Sequence, residues 1–232
     1  MIVIATNNGK SLLTDLLFDL DNINPKCGVS IIDTQSTDLE SQLFLNYLEL
    51  ENPYKFDIKV YRTPYKGYDS GAYMYAMNNI KADRFYFLQD SIRIKDPNIF
   101  ENFDNKLKVG TVVPFIAFPG NLYDNQEQID FCLKTYGRSE FTKGIFGPMF
   151  SILNEDVQKI NKELLVYPTN KVLQMGLERG WAIIFDICGF NIEPLEEDAD
   201  FSLQNKTDFA ISWEKLLNDQ FSQFKKIVCF RP

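Results

Sequence analysis

The feature that most constrains the fold is a regular alternation of short apolar runs with amphipathic segments over residues 1–88. Four runs have the length of buried strands, and the segments between them carry apolar residues at helical spacing. The predicted strands are 2–5, 29–32, 56–62 and 84–88, and the predicted helices are 11–20, 37–48 and 70–80. Strands that alternate with helices of this length form right-handed βαβ units. We therefore predict an α/β fold with a mixed, mainly parallel sheet flanked by helices.

The second half of the chain is less regular, and its pattern predicts a C-terminal extension of the same domain. Predicted strands cover 109–118, 147–153, 181–187 and 227–230, and predicted helices cover 124–136, 169–179 and 212–225. Two further helices are expected after Asp96-Pro97 and at Asn154, which suit helix starts. Gly180 suits a helix end. We predict one domain over 1–190 and, over 191–232, an acidic loop and a helical appendage packed on that domain.

A carboxylate stands directly after the fourth predicted strand, in the motif Gln89-Asp90-Ser91. Open α/β sheets bind ligands beyond the carboxyl ends of their strands. A carboxylate buried there is unfavourable unless it is paired or bound to a metal. We therefore predict that Asp90 holds Mg²⁺ or Mn²⁺, with Gln89 and Ser91 beside a diphosphate, because these cations prefer oxygen ligands. The alternative is a polar strand end without a ligand.

Two other loops carry residues suited to nucleotide binding. Asp33 ends the second predicted strand, where its carboxylate can hydrogen-bond a base or a ribose. The alternative is an aspartate that only organises the turn. In the run GYDSG, which precedes a helix, Gly71 can let a ligand approach the backbone, and the helix N-terminus can face a phosphate. The alternative there is that Asp69 or Ser70 only caps the helix.

Composition excludes several classes of chemistry and of partner. The chain has no histidine, so it cannot carry a Ser-His-Asp triad, a histidine general base or an HExxH zinc site. Its net charge of −8 argues against nucleic-acid binding. No run approaches the roughly 18 apolar residues of a transmembrane segment, and the chain start does not resemble a signal peptide. Four scattered cysteines without a CxxC pair predict buried free thiols and a cytoplasmic location.

With these residues, the chain resembles the nucleotide-sugar glycosyltransferases of the GT-A fold over about residues 1–190. In that family the first strand and its loop receive the nucleotide, which implies that Thr6 and Asn7 lie beside the nucleoside together with Asp33. A short acidic motif after the fourth strand binds the metal and the diphosphate, and here that motif contains Asp90. The resemblance implies a GT-A-like, Rossmann-type sheet. It also implies transfer of a sugar from a nucleotide-diphosphate donor to a glycan or other hydroxyl acceptor, with weakly held Mn²⁺ or Mg²⁺.

Longer stretches extend the resemblance. The pair GYDSGAY and FLQDS is similar to the rhamnan-synthesis type of glycosyltransferase, which implies that Asp69 faces the ribose or sugar of the donor. The stretch GIFGPMFSILNEDV resembles the acceptor-side strand and helix of the family 2 enzymes. Glu178, in LERGWA, is near the place in the chain where the inverting members of that family carry their catalytic carboxylate. Glu178 and Asp156 are therefore the candidate catalytic residues. The alternatives are a solvated helix face for Glu178 and, for Asp156, an acid that favours the helix dipole.

The sequence departs from the family in two respects that leave other functions open. Its acidic motif has one carboxylate where Asp-x-Asp is usual, and it has no late histidine to complete a metal shell. MIVIATNNGK and DSG also resemble the inosine-triphosphate pyrophosphatase family, although that family's later Ser-His-Arg motif is absent. A third possibility is a binding protein on a degenerate GT-A fold that performs no turnover.

Overall fold

The computed structural model describes residues 1–64, 68–120, 123, 125–196 and 221–227. The strands are β1 (Ile2–Thr6), β2 (Val29–Asp33), β3 (Ile58–Arg62), β4 (Arg84–Gln89), β5 (Ile92–Ile94), β6 (Thr111–Pro114), β7 (Ala117–Pro119), β8 (Lys143–Ile145), β9 (Phe150–Leu153), β10 (Asn191–Ile192) and β11 (Phe224–Lys226). The helices are α1 (Lys10–Ile23), α2 (Leu39–Glu51), α3 (Tyr68–Asn79), α4 (Ile99–Lys106), α5 (Gln126–Tyr136), α6 (Asn154–Val157) and α7 (Lys171–Ile187), with a short 3₁₀ helix at Lys162–Leu164.

Seven strands form one sheet in the order β10-β6-β9-β4-β1-β2-β3. β1 pairs in parallel with β2 and β4, and β2 pairs in parallel with β3, as the βαβ pattern predicts. β9 runs antiparallel between β4 and β6, so the sheet is mixed and mainly parallel. Its register places Thr6 beside Asp33 and Ala5 beside Gln89. The ends of β1, β2 and β4 therefore lie together, and we call this side of the sheet the carboxyl edge.

Helices cover both faces of the sheet. One face of α1 buries four leucines at helical spacing: Leu13, Leu16, Leu17 and Leu20. On the opposite face of the sheet, α3 and α7 pack over β4 and β9, where Tyr73, Phe150 and Trp181 are fully buried. Each such side chain contributes roughly 1.5–3 kcal/mol when it leaves water. This packing on both faces holds the loops of the carboxyl edge in place.

The largest difference from the predicted elements is in α7. The sequence pattern predicts a helix over 169–179, an end at Gly180 and a strand over 181–187, but the structure has one helix through Ile187. Gly180 lies inside that helix because α5 packs against it: an added Cβ would lie 2.6 Å from the hydroxyl oxygen of Tyr136. Trp181 and Phe185 then face the core together at i, i+4 spacing. The apolar run at 181–187 fits a strand or a helix by its pattern alone. Gly180 allows α5 to pack closely against α7 and does not mark a helix end.

Smaller differences occur in the second half. The predicted strand 109–118 is divided into β6 and β7, and α4 begins after Asn98, two residues later than the Asp96-Pro97 pair indicates. Residues 224–226 form β11, which pairs antiparallel with β5. The sequence pattern instead predicts the end of a helix at these residues. The rest of that predicted helix, the acidic loop beyond 196 and the final residues 228–232 lie outside the described residues.

The cysteines and the helices bear on two further expectations. Cys132 is buried as a free thiol, whereas Cys27 and Cys188 are half-buried free thiols, so the expectation of full burial is wrong for these two. Cys229 lies outside the described residues.

Within the part of the chain that the structure describes, no helix combines the length and the apolar character needed to span a membrane.

Candidate functional site

The loops after β1 and β2 are joined into one rigid platform at the carboxyl edge. Asn7 donates from Nδ2 to the carbonyl of Thr34 at 2.6 Å. Asn8 adopts a positive φ of 49°, and its Oδ1 accepts from the backbone N–H groups of Thr37 at 2.7 Å and Asp38 at 3.0 Å. A non-glycine residue in this conformation is strained, and the surrounding hydrogen bonds hold it there. The platform is therefore preorganised before any ligand arrives.

Thr6 and Asp33 lie side by side on this platform, as the register requires. Both residues are 5% exposed. Oδ1 of Asp33 accepts from the backbone N–H of Ser36 at 3.0 Å and from its hydroxyl at 2.6 Å. These two bonds give Asp33 the turn-organising role that was its alternative interpretation. Contact with a nucleoside by Asp33 stays a prediction.

Asp90 lies directly after β4, between Thr6 and the start of α1. Its Oδ2 accepts from the hydroxyl of Thr6 at 2.8 Å, and Asp90 is only 4% exposed. Gly9, the N-cap of α1, has no side-chain cap, and a Cβ added to it would lie 2.0 Å from that same Oδ2. A carboxylate at this position also interacts favourably with the helix dipole. Asp90 is thus both a structural partner of Thr6 and α1 and a carboxylate at the carboxyl edge.

Gly9 is a residue of this site that the sequence analysis did not single out. Asp90 approaches it from 81 positions away, so the need for a glycine arises only in the folded chain. The one local sign is a glycine immediately before a helix that has no Ser, Thr, Asp or Asn at its N-cap. A larger residue at position 9 cannot coexist with the present position of the Asp90 carboxylate.

Gln89 connects β4 to the first turn of α3. Its Nε2 donates to Oδ2 of Asp69. This hydrogen bond joins the QDS motif, which contains Gln89, to the GYDSG motif, which contains Asp69. Gly147, which has a φ of +58°, lies beside the Gln89 side chain. A Cβ added to Gly147 would be 3.5 Å from Oε1 of Gln89, which is an ordinary contact distance. Asp69 therefore takes part in a side-chain contact at the carboxyl edge, and it lies in the first turn of α3, after the residue at which the helix begins.

A buried tyrosine, Tyr73, lies among the acidic residues of the site. Burial raises the pKa of Tyr73 well above its usual value, and the negative charges of Asp69, Asp90 and Glu178 raise the pKa further. These three carboxylates come from α3, from the end of β4 and from α7, and all act on one hydroxyl group. Sequence reasoning missed Tyr73, because a tyrosine in an apolar helix has the pattern of an ordinary core residue.

Glu178 is not on a solvated helix face. Its side chain is 19% exposed, and Oε2 is 3.4 Å from Nη1 of Arg179. Arg179 is itself 4% exposed, and its guanidinium lies 5.6 Å from the centre of the Phe118 ring. The alternative interpretation of Glu178 is therefore wrong in its premise of solvation. Trp181, three residues later on the same helix, donates to the hydroxyl of Ser70 at 2.9 Å, so α7 packs beside the first turn of α3 that carries Asp69.

Gly71 and Ser91 have neighbours that the sequence pattern does not indicate. An added Cβ at Gly71 would lie 3.6 Å from the ring of Tyr167, an ordinary contact, so the fold itself does not demand a glycine there. The carbonyl of Ser91 accepts from the backbone N–H of Ile227 at 2.8 Å. Ser91 thus ties the C-terminal segment to the carboxyl edge, and ligand contacts by either residue stay predictions.

Asp156 is not part of this site, and the prediction that groups it with Glu178 needs correction. β9 runs antiparallel to β4, with Leu153 beside Arg84, so α6 begins at the opposite edge of the sheet. There Asp156 is fully buried, accepts from the backbone N–H of Gly110 at 2.8 Å and pairs with Lys159 at 2.5 Å. These contacts describe a structural carboxylate that fixes the turn before β6.

The acidic residues of the carboxyl edge do not form a metal cage by themselves. Among the described residues, no three acidic or cysteine side chains converge closely enough to hold a metal ion. Mg²⁺ is commonly held by one or two carboxylates together with substrate phosphates and water. Asp90 and Asp69 therefore fit a cation that the protein shares with a bound diphosphate, and do not fit a resident metal enclosed by protein ligands.

Comparison with known proteins gives no match by sequence. No protein-family model matches the chain, and no curated protein matches its sequence. Solved structures do match. Among them are GalNAc-T7 in complex with UDP, GalNAc and Mn²⁺ (14% identity, TM-score 0.57), TarS of S. aureus (14%, 0.51) and the mannosyltransferase PcManGT of Pyrobaculum calidifontis with GDP-Man and Mn²⁺ (12%, 0.57).

These matches cover 84%, 95% and 93% of the chain, which in turn spans 42%, 66% and 60% of those three proteins. All three are glycosyltransferases with a GT-A fold. At 12–14% identity the likeness establishes the fold alone. The chain has a GT-A-type fold, as its motifs predict, with a mainly parallel sheet and its acidic motif at the carboxyl edge.

Proposed function

We propose that the chain is a glycosyltransferase that moves a sugar from a nucleotide-diphosphate donor to an acceptor hydroxyl. The observation that carries this proposal is the meeting of Asp69 and Asp90 at one end of a GT-A-type sheet, where Gln89 donates to Asp69. Glu178 lies on the helix whose Trp181 bonds to the neighbouring Ser70. Two of these acidic residues come from motifs at the strand end and the helix start, and the third comes from a helix more than 80 residues later. Structural packing of the core does not require acidic side chains to meet in this way.

The donor would bind along the carboxyl edge, with its nucleoside on the platform formed by the loops after β1 and β2. Thr6, Asn7 and Asp33 are the residues proposed for the nucleoside. The diphosphate would lie near Asp90, with Gln89, Ser91 and the backbone at Gly71 beside it, and Asp69 would face the ribose or the sugar. The complexes of two structural neighbours with UDP and with GDP-Man support a donor of this kind.

A divalent cation, Mn²⁺ or Mg²⁺, would be held by Asp90 and shared with the diphosphate, with Asp69 as the second available carboxylate. When bound, such a cation neutralises the negative charge that develops on the leaving diphosphate. Mn²⁺ in two of the structural neighbours supports this choice. Because the chain offers few acidic ligands, we expect the cation to bind weakly in the absence of the nucleotide.

Glu178 is the proposed catalytic residue on the acceptor side. Its carboxylate would accept the proton of the acceptor hydroxyl as that oxygen bonds to the anomeric carbon and the bond from this carbon to the diphosphate oxygen breaks. The side chain is partly shielded from water, with Arg179 3.4 Å away, so its orientation is defined before the acceptor binds. Asp156 has no role in this proposal, because it lies at the opposite edge of the sheet.

The test is a panel of nucleotide diphosphates, with and without Mn²⁺ or Mg²⁺, measured by thermal shift and followed by donor turnover. A bound nucleotide at one hundred times its dissociation constant should stabilise the fold by about 2.7 kcal/mol. UDP or GDP should stabilise the chain more with the metal than without it, and a matching nucleotide sugar should be consumed. Turnover of inosine triphosphate without a diphosphate preference would instead support the pyrophosphatase alternative.

A binding protein without turnover is the second candidate, and the surroundings of Asp90 favour it. One oxygen of this carboxylate is bonded to Thr6 and packed against Gly9, and a three-residue metal group is missing from the described residues. Such a protein would keep the nucleotide platform but would not move the sugar. Tight, metal-dependent nucleotide binding without transfer or donor hydrolysis, over a broad acceptor panel, would support this candidate over the transferase.

A further inference from the structure

The hydroxyl group of Tyr73 is an unusual feature of the α3 helix. Tyr73 is fully buried, and no group in the described residues hydrogen-bonds its hydroxyl. A buried hydroxyl without a partner loses its hydrogen bonds to water and gains none in return, so it destabilises the fold that contains it. Unpartnered polar groups of this kind are few in native proteins, and each calls for a physical explanation.

The rest of the Tyr73 side chain is tightly fixed. Its ring centre lies 4.7 Å from that of Phe87 on β4 and 6.2 Å from that of Phe150 on β9. A phenylalanine at position 73 would make the same ring contacts without the unpartnered oxygen. Core packing therefore explains the ring and leaves the hydroxyl unexplained.

Three acidic residues of the proposed site lie on the elements that surround Tyr73. Asp69 precedes Tyr73 by four residues on α3, so the two side chains lie on one face of the helix, one turn apart. Asp90 follows Phe87 by three residues at the end of β4, and Glu178 comes from the helix that packs on α3. The carboxylate of Asp69 accepts from Gln89 and has a further neighbour in the fold.

We propose that Tyr73 is a positioning residue whose hydroxyl donates a hydrogen bond to the carboxylate of Asp69 when the donor nucleotide and its cation bind. The proposal rests on the function proposed above. In this structure the hydroxyl has no hydrogen-bond partner among the described residues, and we expect Asp69 to turn and accept from it when the donor binds. A hydrogen bond that exists only in the bound state favours that state, because a ligand shifts an equilibrium by its differential interactions with the two states. Tyr73 acts through Asp69 and does not itself touch the donor.

The test compares Tyr73→Phe with Tyr136→Phe. Tyr136 on α5 also has a buried hydroxyl without a partner among the described residues, but its neighbours are Gly180 and Cys132, not the acidic residues of the site. Both substitutions should leave the melting temperature of the ligand-free protein equal to or above that of the wild type. Calorimetric titration with UDP–Mn²⁺ and GDP–Mn²⁺ should show a dissociation constant about tenfold higher for Tyr73→Phe only, as expected for loss of one hydrogen bond to a charged group.

A double-mutant cycle with Asp69→Ala identifies the acceptor, because alanine removes both carboxylate oxygens whereas an asparagine amide oxygen would still accept from the hydroxyl. If Tyr73 acts through Asp69, then adding Tyr73→Phe to Asp69→Ala should weaken binding much less than about tenfold, because the two changes remove the same interaction. Strict additivity, or an unchanged dissociation constant for Tyr73→Phe, would overturn the proposal. A lower melting temperature for Tyr73→Phe with unchanged binding would make the hydroxyl purely structural. If the wild type binds neither nucleotide with Mn²⁺, the proposed function fails, and this inference fails with it.

Discussion

Replacement of Asp90 by asparagine separates a ligand-binding role from a structural one, because the two side chains have the same shape. In the structure Asp90 accepts from Thr6 at 2.8 Å and lies at the N-terminus of α1. Loss of the charge weakens the bond to Thr6 by about 1 kcal/mol and the interaction with the helix dipole by about 0.3–1 kcal/mol. It also removes repulsion between Asp90 and the other carboxylates of the site, which offsets part of this loss.

These opposing contributions leave a net change in the free energy of unfolding of no more than about 1 kcal/mol. For a chain of this size that corresponds to a change of about 2–4 °C in melting temperature. Binding should change far more. A unit charge about 4 Å from a cation contributes about 4 kcal/mol at an effective dielectric of about 20, and even half of that value is roughly thirtyfold in dissociation constant.

Thermal denaturation and calorimetric titration with Mn²⁺ and UDP or GDP measure the two quantities on the same samples. Asp156→Asn is the matched control, since it removes a fully buried carboxylate at the opposite edge that bonds to Gly110 and Lys159. We expect the control to lose about 1–3 kcal/mol of stability and to keep its nucleotide affinity. A collapse of the melting temperature of Asp90→Asn, with nucleotide binding intact, would refute the role assigned to Asp90.

Three other substitutions test separate parts of the account. Gly9→Ala places a Cβ 2.0 Å from Oδ2 of Asp90, so it should lower both the melting temperature and the metal-dependent nucleotide affinity. Gly28→Ala is the control and should change neither, because its added Cβ would be 3.5 Å from the nearest atom. Equal behaviour of the two variants would contradict the contact between Gly9 and Asp90. Gly180→Ala should lower the free energy of unfolding by about 1–3 kcal/mol, because the added Cβ would overpack against Tyr136. Adding Tyr136→Phe to Gly180→Ala should restore part of that stability, and a double variant no more stable than Gly180→Ala would argue against the contact. Glu178→Gln should leave nucleotide affinity within about twofold but lower sugar transfer by about a hundredfold or more, measured as donor consumption; full activity would exclude Glu178 as the base.

The sequence predicts the first half of the fold well because its signals are local. Each strand from β1 to β4 and each helix between them has its own apolar period, and the short connections impose parallel pairing. For the same reason Asp33 and Asp90 can be placed at the carboxyl edge from the sequence alone, since Asp33 ends β2, Asp90 directly follows β4, and the βαβ pattern makes these strands parallel. The GYDSG and QDS motifs meet in space because both flank the unit formed by α3 and β4.

The remaining errors concern information that is absent from any local window. The antiparallel direction of β9 moves Asp156 to the opposite edge, and a strand pattern does not carry direction. The run at 181–187 fits a strand or a helix by its period, and only packing against α5 decides between them. Gly9 and Tyr73 belong to the site through neighbours distant in sequence, so nothing in their own surroundings distinguishes them from ordinary loop and core residues.

A crystal structure of the protein soaked with Mn²⁺ and UDP or GDP would locate the nucleotide and the cation on the fold. We predict that the nucleoside lies on the platform after β1 and β2, near Thr6 and Asp33, and that the cation bridges the diphosphate and the carboxylate of Asp90. The open side of the diphosphate should then face Glu178. A nucleotide bound elsewhere, such as beside Asp156 at the opposite edge, or a diphosphate bound with no cation next to Asp90, would contradict the account.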